Sequence, residues 1–227
     1  MSFAIPAWDL SSLPVVGRED RFPVRRIYCI GRNYAEHARE MGADDREPPF
    51  FFLKPADAIV QNGATIPYPV ATNNYHYEGE LVAAIGKPGS DILPNEANEH
   101  IFGYGVGLDM TRRDLQNNAK EMRRPWDMGK GFDQSAPCSE IYPSTQIGHP
   151  SKGVLWLKVN GETKQQGDIA DMIWNTPESI SYLSGLVRLE PGDLIFTGTP
   201  AGVGAVVSGD EISVHVDGVC DLNIRIA

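Results

Sequence analysis

Glycine and proline interrupt this chain so often that short strands and turns are favoured over long helices. The 227 residues include 23 glycines and 17 prolines, which end helices and mark turns. Compact apolar runs lie between them, and residues 212–216 and 222–226 alternate apolar and polar side chains. The pattern predicts a β-rich fold of the α+β class with a few short helices.

Several runs predict strands and hairpins. The Asn160-Gly161 turn predicts a tight hairpin between residues 154–159 and the segment that follows. The last two alternating runs predict a second hairpin around Asp217-Gly218. Other predicted strands are 24–30, 50–54, the run through Glu78 to Ile85, 101–109 and 194–197.

Helix starts are predicted from capping residues. Asn33 begins a short helix that ends near Met41, and Thr111 opens a capping box for a helix to about Met122. Thr176-Pro177 starts a helix whose Ile180, Leu183 and Val187 share an apolar face. Residues 123–135 are predicted to be a loop.

The chain is predicted to form one domain over residues 23–227, preceded by an N-terminal extension over residues 1–22. Its length is sufficient for a substantial core. The extension contains Pro6, Pro14 and Gly17 and is expected to lie over the domain, anchored by Trp8 and Leu10.

The formal net charge of -10 argues against nucleic acid and anionic membranes as partners. A small anionic substrate would need local compensation by Arg, Lys or a metal. The three cysteines lack CxxC spacing, and no run approaches a membrane span. We therefore expect a cytoplasmic protein with neither a disulfide framework nor a membrane partner.

Common catalytic motifs are absent. The glycine-rich stretches lack the G-x-G-x-x-G spacing, and no G-x-S-x-G elbow occurs. His76-x-Glu78 resembles part of a zinc deaminase signature, but P-C-x-x-C is missing. No organic cofactor is predicted.

Glu78 and Glu80 are one residue apart in a strand-like run, so their carboxylates are expected to point the same way. Such a pair either shares a proton, coordinates a divalent cation or forms a solvated face. Asp109 follows a strand whose glycines at 103, 105 and 107 lie on one face, which would allow a close approach. Three carboxylates predict an oxygen-ligand site for Mg²⁺, with Mn²⁺ or Ca²⁺ as alternatives.

Two i, i+3 pairs could supply further chemistry. Arg113 and Gln116 share a helix face and could hold a substrate carboxylate, although both could equally be solvated surface residues. His37 and Glu40 have the same spacing, so Glu40 could orient His37 as a general base; a surface ion pair is the alternative.

A set of ordered motifs resembles the fumarylacetoacetate hydrolase superfamily, and within it the acylpyruvate and fumarylpyruvate hydrolase branch. The resemblance runs from about residue 24 to the C-terminus. Its motifs are Gly31-Arg32-Asn33-Tyr34-x-x-His37, Glu78-x-Glu80, Leu108-Asp109-Met110-Thr111-x-Arg113-Asp114-x-Gln116, Gly129-Lys130-x-Phe132-Asp133, Val159-Asn160-Gly161-Glu162 and Thr197-Gly198-Thr199-Pro200-x-Gly202-Val203-Gly204.

The resemblance implies a mixed β-roll or β-sandwich, a homodimer, and a lid over residues 36 to about 47. It also implies three groups of site residues. These are the metal ligands Glu78, Glu80 and Asp109, the catalytic residues His37, Glu40 and Lys130, and the substrate contacts Arg32, Tyr34, Arg113, Gln116 and Thr199.

The implied activity is metal-dependent cleavage of a carbon–carbon bond in a 2,4-diketo acid. Fumarylpyruvate, from gentisate-type aromatic catabolism, is the expected substrate, with fumarate and pyruvate as products. Other acylpyruvates, or decarboxylation of oxaloacetate on the same metal site, are alternatives. A non-catalytic, metal-binding β-fold protein is a more remote one.

Overall fold

The structure, a computed structural model, describes residues 3–34 and 47–227. Its strands are β1 Ser12–Pro14, β2 Arg21–Pro23, β3 Arg26–Gly31, β4 Phe50–Lys54, β5 Ile59–Gln61, β6 Thr65–Ile66, β7 Tyr75–Tyr77, β8 Gly79–Ile85, β9 Ile101–Leu108, β10 Thr111–Arg112, β11 Ala136–Cys138, β12 Tyr142–Pro143, β13 Val154–Val159, β14 Glu162–Asp168, β15 Asp193–Phe196, β16 Gly204–Val206, β17 Glu211–Val216 and β18 Cys220–Ile226. Its α-helices are α1 Arg113–Glu121, α2 Asp127–Lys130, α3 Ser144–Ile147 and α4 Thr176–Leu186.

The strands form two large sheets and two small ones within the described residues. The larger sheet has the order β4-β3-β15-β8-β9-β11-β5, with β12 also paired to β9. The second has the order β14-β13-β17-β18-β6. Small sheets join β10, β7 and β16, and β1 with β2. The β-rich prediction is therefore confirmed, as are both predicted hairpins.

Two apolar cores cover opposite faces of the larger sheet. Leu81 and Ala83 of β8 pack in one core with Leu157 and Val214 of the second sheet. The alternate β8 residues, such as Val82, pack in the other core. Because side chains alternate along a strand, β8 is buried on both faces, which explains its continuous apolar run.

The N-terminal segment packs on this second core through its strand pair. Leu13, Val15 and Phe22 are buried there. Trp8 and Leu10 are 85% and 69% exposed, so the prediction that they anchor the extension was wrong. The anchor lies instead where the β1–β2 pair contacts the larger sheet.

The helix predictions were only partly right. α4 begins as predicted, with a capping box from Asn175 and Glu178. α1 ends close to the predicted residue, but its N-cap makes no side-chain bond, because Thr111 donates to the Asp109 carbonyl instead. The predicted helix from Asn33 to near Met41 falls almost entirely on residues 35–46, which lie outside the described chain; the Asn33 side-chain amide donates to the carbonyls of Trp174 and Thr197 and accepts the Trp174 N–H.

The predicted loop over residues 123–135 contains one helical turn, α2. Gly129 and Lys130 both donate backbone N–H groups to the Trp126 carbonyl. An added Cβ at Gly129 would lie 3.0 Å from Gln116 Cβ, so glycine permits close packing of α2 on α1. One turn is too short for a periodic apolar pattern to reveal it.

Strand β9 shows what approaches the predicted glycine face. A Cβ at Gly103 would lie 2.3 Å from the Tyr142 carbonyl oxygen, and one at Gly107 would lie 2.5 Å from the Phe196 ring. The glycines therefore allow other parts of the chain to pack closely against β9.

No helix within residues 3–34 and 47–227 is both long and apolar enough to span a bilayer.

We expect Gly103→Ala to lower the free energy of unfolding by about 2 to 3 kcal/mol, because the new methyl group would overlap a backbone carbonyl. Urea denaturation measures the change. Gly185→Ala in α4 is the matched control: its Cβ meets only Asp91 Oδ1, at 3.8 Å, and should be neutral or stabilise by up to about 1 kcal/mol. Equal stability of the two variants would contradict the packing described.

Candidate active site

Three carboxylates converge at one end of the larger sheet. Glu78 lies between β7 and β8, Glu80 lies on β8, and Asp109 follows β9. The backbone N–H of Asp109 donates to the Glu78 carbonyl at 2.9 Å, which fixes the two segments together. One carboxylate oxygen from each of the three residues lies within 4.8 Å of the others, and all three residues are buried.

The sequence predicted one continuous strand through Glu78, but the structure divides this run into two strands. β7 belongs to the small sheet with β10 and β16, whereas β8 belongs to the larger sheet, so Glu78 stands where the chain changes sheets. The carboxylates still face the same region.

Because side chains alternate along a strand, Gly79 is expected to face away from the carboxylates, and it does. A Cβ there would lie 3.0 Å from Val214 Cγ1 and 3.2 Å from Leu157 Cδ1, in the opposite core.

Three cations balance these acids. Lys130 Nζ lies 2.8 Å from Glu78 Oε2 and 2.7 Å from Asp109 Oδ2. Lys54 Nζ lies 2.8 Å from Asp109 Oδ1, and Arg113 pairs with Glu78 Oε1. Glu80 has no ion pair with any described residue; it accepts a backbone N–H bond from Gly198 at 2.8 Å.

The charge pattern perturbs the acids in opposite directions. Burial works to raise the pKa of Glu78, but the charges of Lys130 and Arg113 outweigh it and hold that pKa below its usual range. Burial, and then the charge of Asp109, raise the pKa of Glu80 well above its usual range. Burial opposes protonation of Lys130, yet the two acids it contacts raise its pKa, so its ammonium stays charged.

The donor set fits a hard divalent cation. All the candidate ligands are carboxylate oxygens, which Mg²⁺, Mn²⁺ and Ca²⁺ prefer. Asp109 Oδ1 is buried and accepts no hydrogen bond from the described residues, although the Lys54 ammonium lies close to it. Such an oxygen, together with the unpaired Glu80, is what a bound cation would satisfy.

A cleft of about 270 Å³ opens onto two of the three carboxylate residues, Glu78 and Glu80. One wall is a single face of α1. The lining residues of that face, separated by three, four and seven positions, are Arg113, Gln116, Asn117 and Lys120. Arg32, Lys130 and Trp126 also line the cleft. The local excess of cations supplies the compensation that an acidic chain needs to bind an anion.

Arg113 is held by three acceptors. It donates from Nε to His76 Nδ1 at 3.3 Å, from Nη1 to Gln116 Oε1 at 2.5 Å, and from Nη2 to Glu78. His76 Nε2 lies 2.8 Å from Asn74 Oδ1. A guanidinium has five N–H donors, so two have no acceptor among the described residues.

Thr199 lies on the cleft wall, but its hydroxyl is already bonded. It donates to the Gly79 carbonyl at 2.8 Å and accepts from Gln165 Nε2 at 2.8 Å. Gln165 Oε1 in turn accepts the Gly79 N–H. These bonds fix the backbone between the two glutamates, and the predicted substrate contact of Thr199 stays a prediction.

The loop after β3 places Arg32 in the cleft and Tyr34 behind it. Arg32 has a left-handed φ of 57°, which is uncommon outside glycine and often marks functional sites. Tyr34 is buried, does not line the cleft, and its hydroxyl has no hydrogen-bond partner among the described residues. His37 and Glu40 lie outside the described residues, as does nearly all of the predicted lid.

Sequence reasoning missed three contributors to this site. His76 has the same strand parity as Glu78 and Glu80, a signal that could have identified it. Lys54, at the end of an aromatic strand, gives no such signal. Lys120 could have been found from its helical spacing with Arg113 and Gln116.

Comparisons with known proteins agree with this geometry. A model of the fumarylacetoacetate (FAA) hydrolase C-terminal family matches residues 26–227. The chain is 49% identical to a fumarylpyruvate hydrolase of Ralstonia sp over 180 residues, which cover 79% of this chain and 93% of that protein. It is 42% identical to the mitochondrial oxaloacetate tautomerase FAHD1 of Rattus norvegicus over 202 residues, 89% of this chain and 91% of that protein.

A solved structure is similar over the whole chain. It is the crystal structure of fumarylpyruvate hydrolase from Pseudomonas aeruginosa in complex with Mn²⁺ and pyruvate. The TM-score is 0.97 at 53% identity, covering 100% of this chain and 99% of that one. The predicted resemblance and fold class are thereby confirmed.

We expect Mn²⁺ to raise the Tm of the metal-free protein, because a ligand that binds only the folded state stabilises it by about 2.7 kcal/mol at a hundredfold excess over Kd. Glu80→Gln keeps the shape but removes one anionic donor, so the shift should fall close to zero. Thermal unfolding with and without Mn²⁺ measures this. Exposed Glu96→Gln is the control and should keep the full shift; an unchanged shift in Glu80→Gln would contradict the ligand assignment.

Proposed function

The chain belongs to the fumarylacetoacetate hydrolase family, and from that premise we propose that it is a metal-dependent hydrolase that cleaves fumarylpyruvate to fumarate and pyruvate. The observation that carries the proposal is the buried carboxylate triad, of which Glu78 and Glu80 line a cleft with cationic walls. A metal site that opens onto positive charge suits a small anionic diketo acid. The similarity to two fumarylpyruvate hydrolases supports this substrate over other acylpyruvates.

Glu78, Glu80 and Asp109 are the proposed metal ligands. Bound there, a divalent ion supplies Lewis-acid stabilisation of negative charge on a substrate oxygen. Mg²⁺ is the proposed native ion, with Mn²⁺ or Ca²⁺ as alternatives; Mn²⁺ accompanies pyruvate in the Pseudomonas relative.

Cleavage needs an activated water molecule and a stabilised carbanion. Water adds to the ketone carbon of the fumaryl group, and the bond from that carbon to the neighbouring CH₂ then breaks. The electron pair moves into the pyruvate enolate, and a proton delivered to the CH₂ carbon completes pyruvate. His37, oriented by Glu40, is the proposed base that takes the proton from water.

The described residues supply substrate positioning and charge. Arg113 has two N–H groups that no described residue accepts and that would hold the 2-oxo acid carboxylate, and its bonds to Gln116, Glu78 and His76 fix their direction. Lys130 uses two of its three N–H donors on carboxylates, which leaves one for the developing enolate oxygen. Both groups are oriented before the substrate binds.

Oxaloacetate chemistry is the second candidate. The 42% identity to an oxaloacetate tautomerase favours it, and both substrates present a 2-oxo acid to the same metal site. Neither tautomerisation nor decarboxylation of oxaloacetate needs water as a nucleophile. A non-catalytic metal-binding protein would have no use for the cationic cleft wall.

The remaining parts of the proposal rest on the family resemblance and the sequence. They are a homodimer, a cytoplasmic location, a role in aromatic catabolism and one catalytic domain over residues 23–227. The family match beginning at residue 26 supports that domain boundary.

We expect the purified protein to cleave fumarylpyruvate with Mg²⁺ or Mn²⁺ and to lose activity in EDTA. Chromatography should show fumarate and pyruvate in equal amounts. Lys130→Met should lower kcat at least about 100-fold, because the charge facing the enolate is lost. The rate with oxaloacetate, measured in parallel, shows how the second candidate reaction compares with hydrolysis. No turnover of any diketo acid with metal would refute the hydrolase proposal.

We expect His37→Ala to separate the two candidate reactions. Loss of the general base should slow hydrolysis by about 10²- to 10⁴-fold, whereas oxaloacetate turnover should survive. Steady-state rates with both substrates, at matched metal content, provide the measurement. Near-wild-type hydrolysis in this variant would remove His37 as the base.

A further inference from the structure

Lys120 is a cleft cation that the proposed chemistry does not use. It lies on the same face of α1 as Arg113 and Gln116, seven residues beyond Arg113. Seven residues of α-helix rise about 10 Å. The cleft therefore has two separate cationic positions, one beside Glu78 and one about two helical turns away.

Aromatic rings hold this second position. Lys120 Nζ lies 5.0 Å from the centre of the Trp126 ring, and Trp126 meets Phe50 edge to face at 5.2 Å. The Arg32 guanidinium lies 5.9 Å from the centre of the Phe50 ring. A cation above a ring keeps its charge and most of its N–H donors, so both groups stay available to an anion.

Neither cation has a carboxylate partner among the described residues, and Arg32 Nε is buried without a hydrogen bond there. Burial, and then the charges of Arg113 and Arg32, lower the pKa of Lys120 to about 8. A cation crowded by cations is stabilised when an anion binds. The mutual repulsion of these cations is unfavourable without a ligand, and a bound anion would relieve it.

We propose that Lys120 and Arg32, supported by Trp126 and Phe50, form a subsite for the distal carboxylate of a dicarboxylic substrate. The inference rests on the proposed function and deepens it. A divalent ion held by the carboxylate triad would take the 2-oxo acid end together with Arg113, and the second subsite selects substrates that are charged at both ends. The Trp126 ring, which lines the cleft beside Lys120, contacts the unsaturated part of the acyl chain.

The subsite accounts for a preference between substrates that share the reacting group. Fumarylpyruvate has a distal carboxylate, and acetylpyruvate has a methyl group in place of the whole carboxyvinyl group. A hydrogen bond to a charged group changes binding by about 10- to 100-fold. The discrimination should appear mainly in KM, because the reacting atoms are the same in both substrates.

The test compares Lys120→Met with wild type on both substrates. Methionine keeps an apolar stem against Trp126 but has no charge. We expect kcat/KM for fumarylpyruvate to fall about 10- to 100-fold and kcat/KM for acetylpyruvate to change less than about threefold. Lys120→Arg should restore most of the preference, and exposed Lys152→Met should leave both substrates unaffected.

Equilibrium binding separates this inference from the hydrolase proposal. The probes are 2-oxoheptanedioate and 2-oxoheptanoate, which lack the cleavable ketone and differ only in the distal carboxylate. With Mg²⁺ present, ligand-observed NMR titration should show the diacid binding at least about tenfold more tightly, and Lys120→Met should abolish that difference.

If wild type cleaves neither diketo acid, the hydrolase proposal fails, and the two probes still decide the subsite. The subsite is refuted if Lys120→Met leaves the difference between the probes intact. It is equally refuted if the variant weakens both probes to the same extent, because Lys120 would then act on the shared end or on the fold.

Discussion

The structure depends on a buried cluster of opposite charges at one end of its larger sheet. Three carboxylates in a dry environment are strongly unfavourable unless they are paired or bind a cation. Lys54, Lys130 and Arg113 balance them, and the three cations come from β4, α2 and α1. The cluster therefore fixes these otherwise separate elements to the sheet. Removing one partner would leave an unpaired buried charge, so the same contacts serve stability and the proposed chemistry.

The sheets provide the precision that such a cluster requires. β8 is buried on both faces, so a register slip by one residue would turn Glu80 away from the other carboxylates and into the apolar core that holds Leu81. At Glu78 the chain passes from the small sheet to the larger one, and the bonds from Thr199 and Gln165 to Gly79 fix that passage. Side chains on paired strands move less than side chains on loops, which suits a site whose ligands must be placed accurately.

The cleft presents local positive charge on a protein that is acidic as a whole. With a net charge of -10, the chain as a whole repels anions. In the cleft, the acidic residues Glu78 and Glu80 lie where a metal ion could bind them. One wall carries the cations Arg113 and Lys120 on a single face of α1. An anionic substrate would therefore meet positive charge as it enters. Relatives of this chain are named for different 2-oxo acids, fumarylpyruvate and oxaloacetate, so we expect selection to depend on the walls of the cleft.

The sequence by itself determined the β-rich class, both hairpins and α4, because alternation, turn residues and caps act locally. Its ordered motifs also identified Glu78, Glu80 and Asp109, which the structure brings together. Only the tertiary structure decided the break at Glu78, the ion pair of Lys54, the contact of Lys120 with Trp126 and the contact of Arg32 with Phe50. Those contacts join residues that are distant in the chain or carried on separate elements, and they depend on which elements pack together. Local pattern contains no information on that packing, since a buried lysine and an exposed one look the same in sequence until their partners are known.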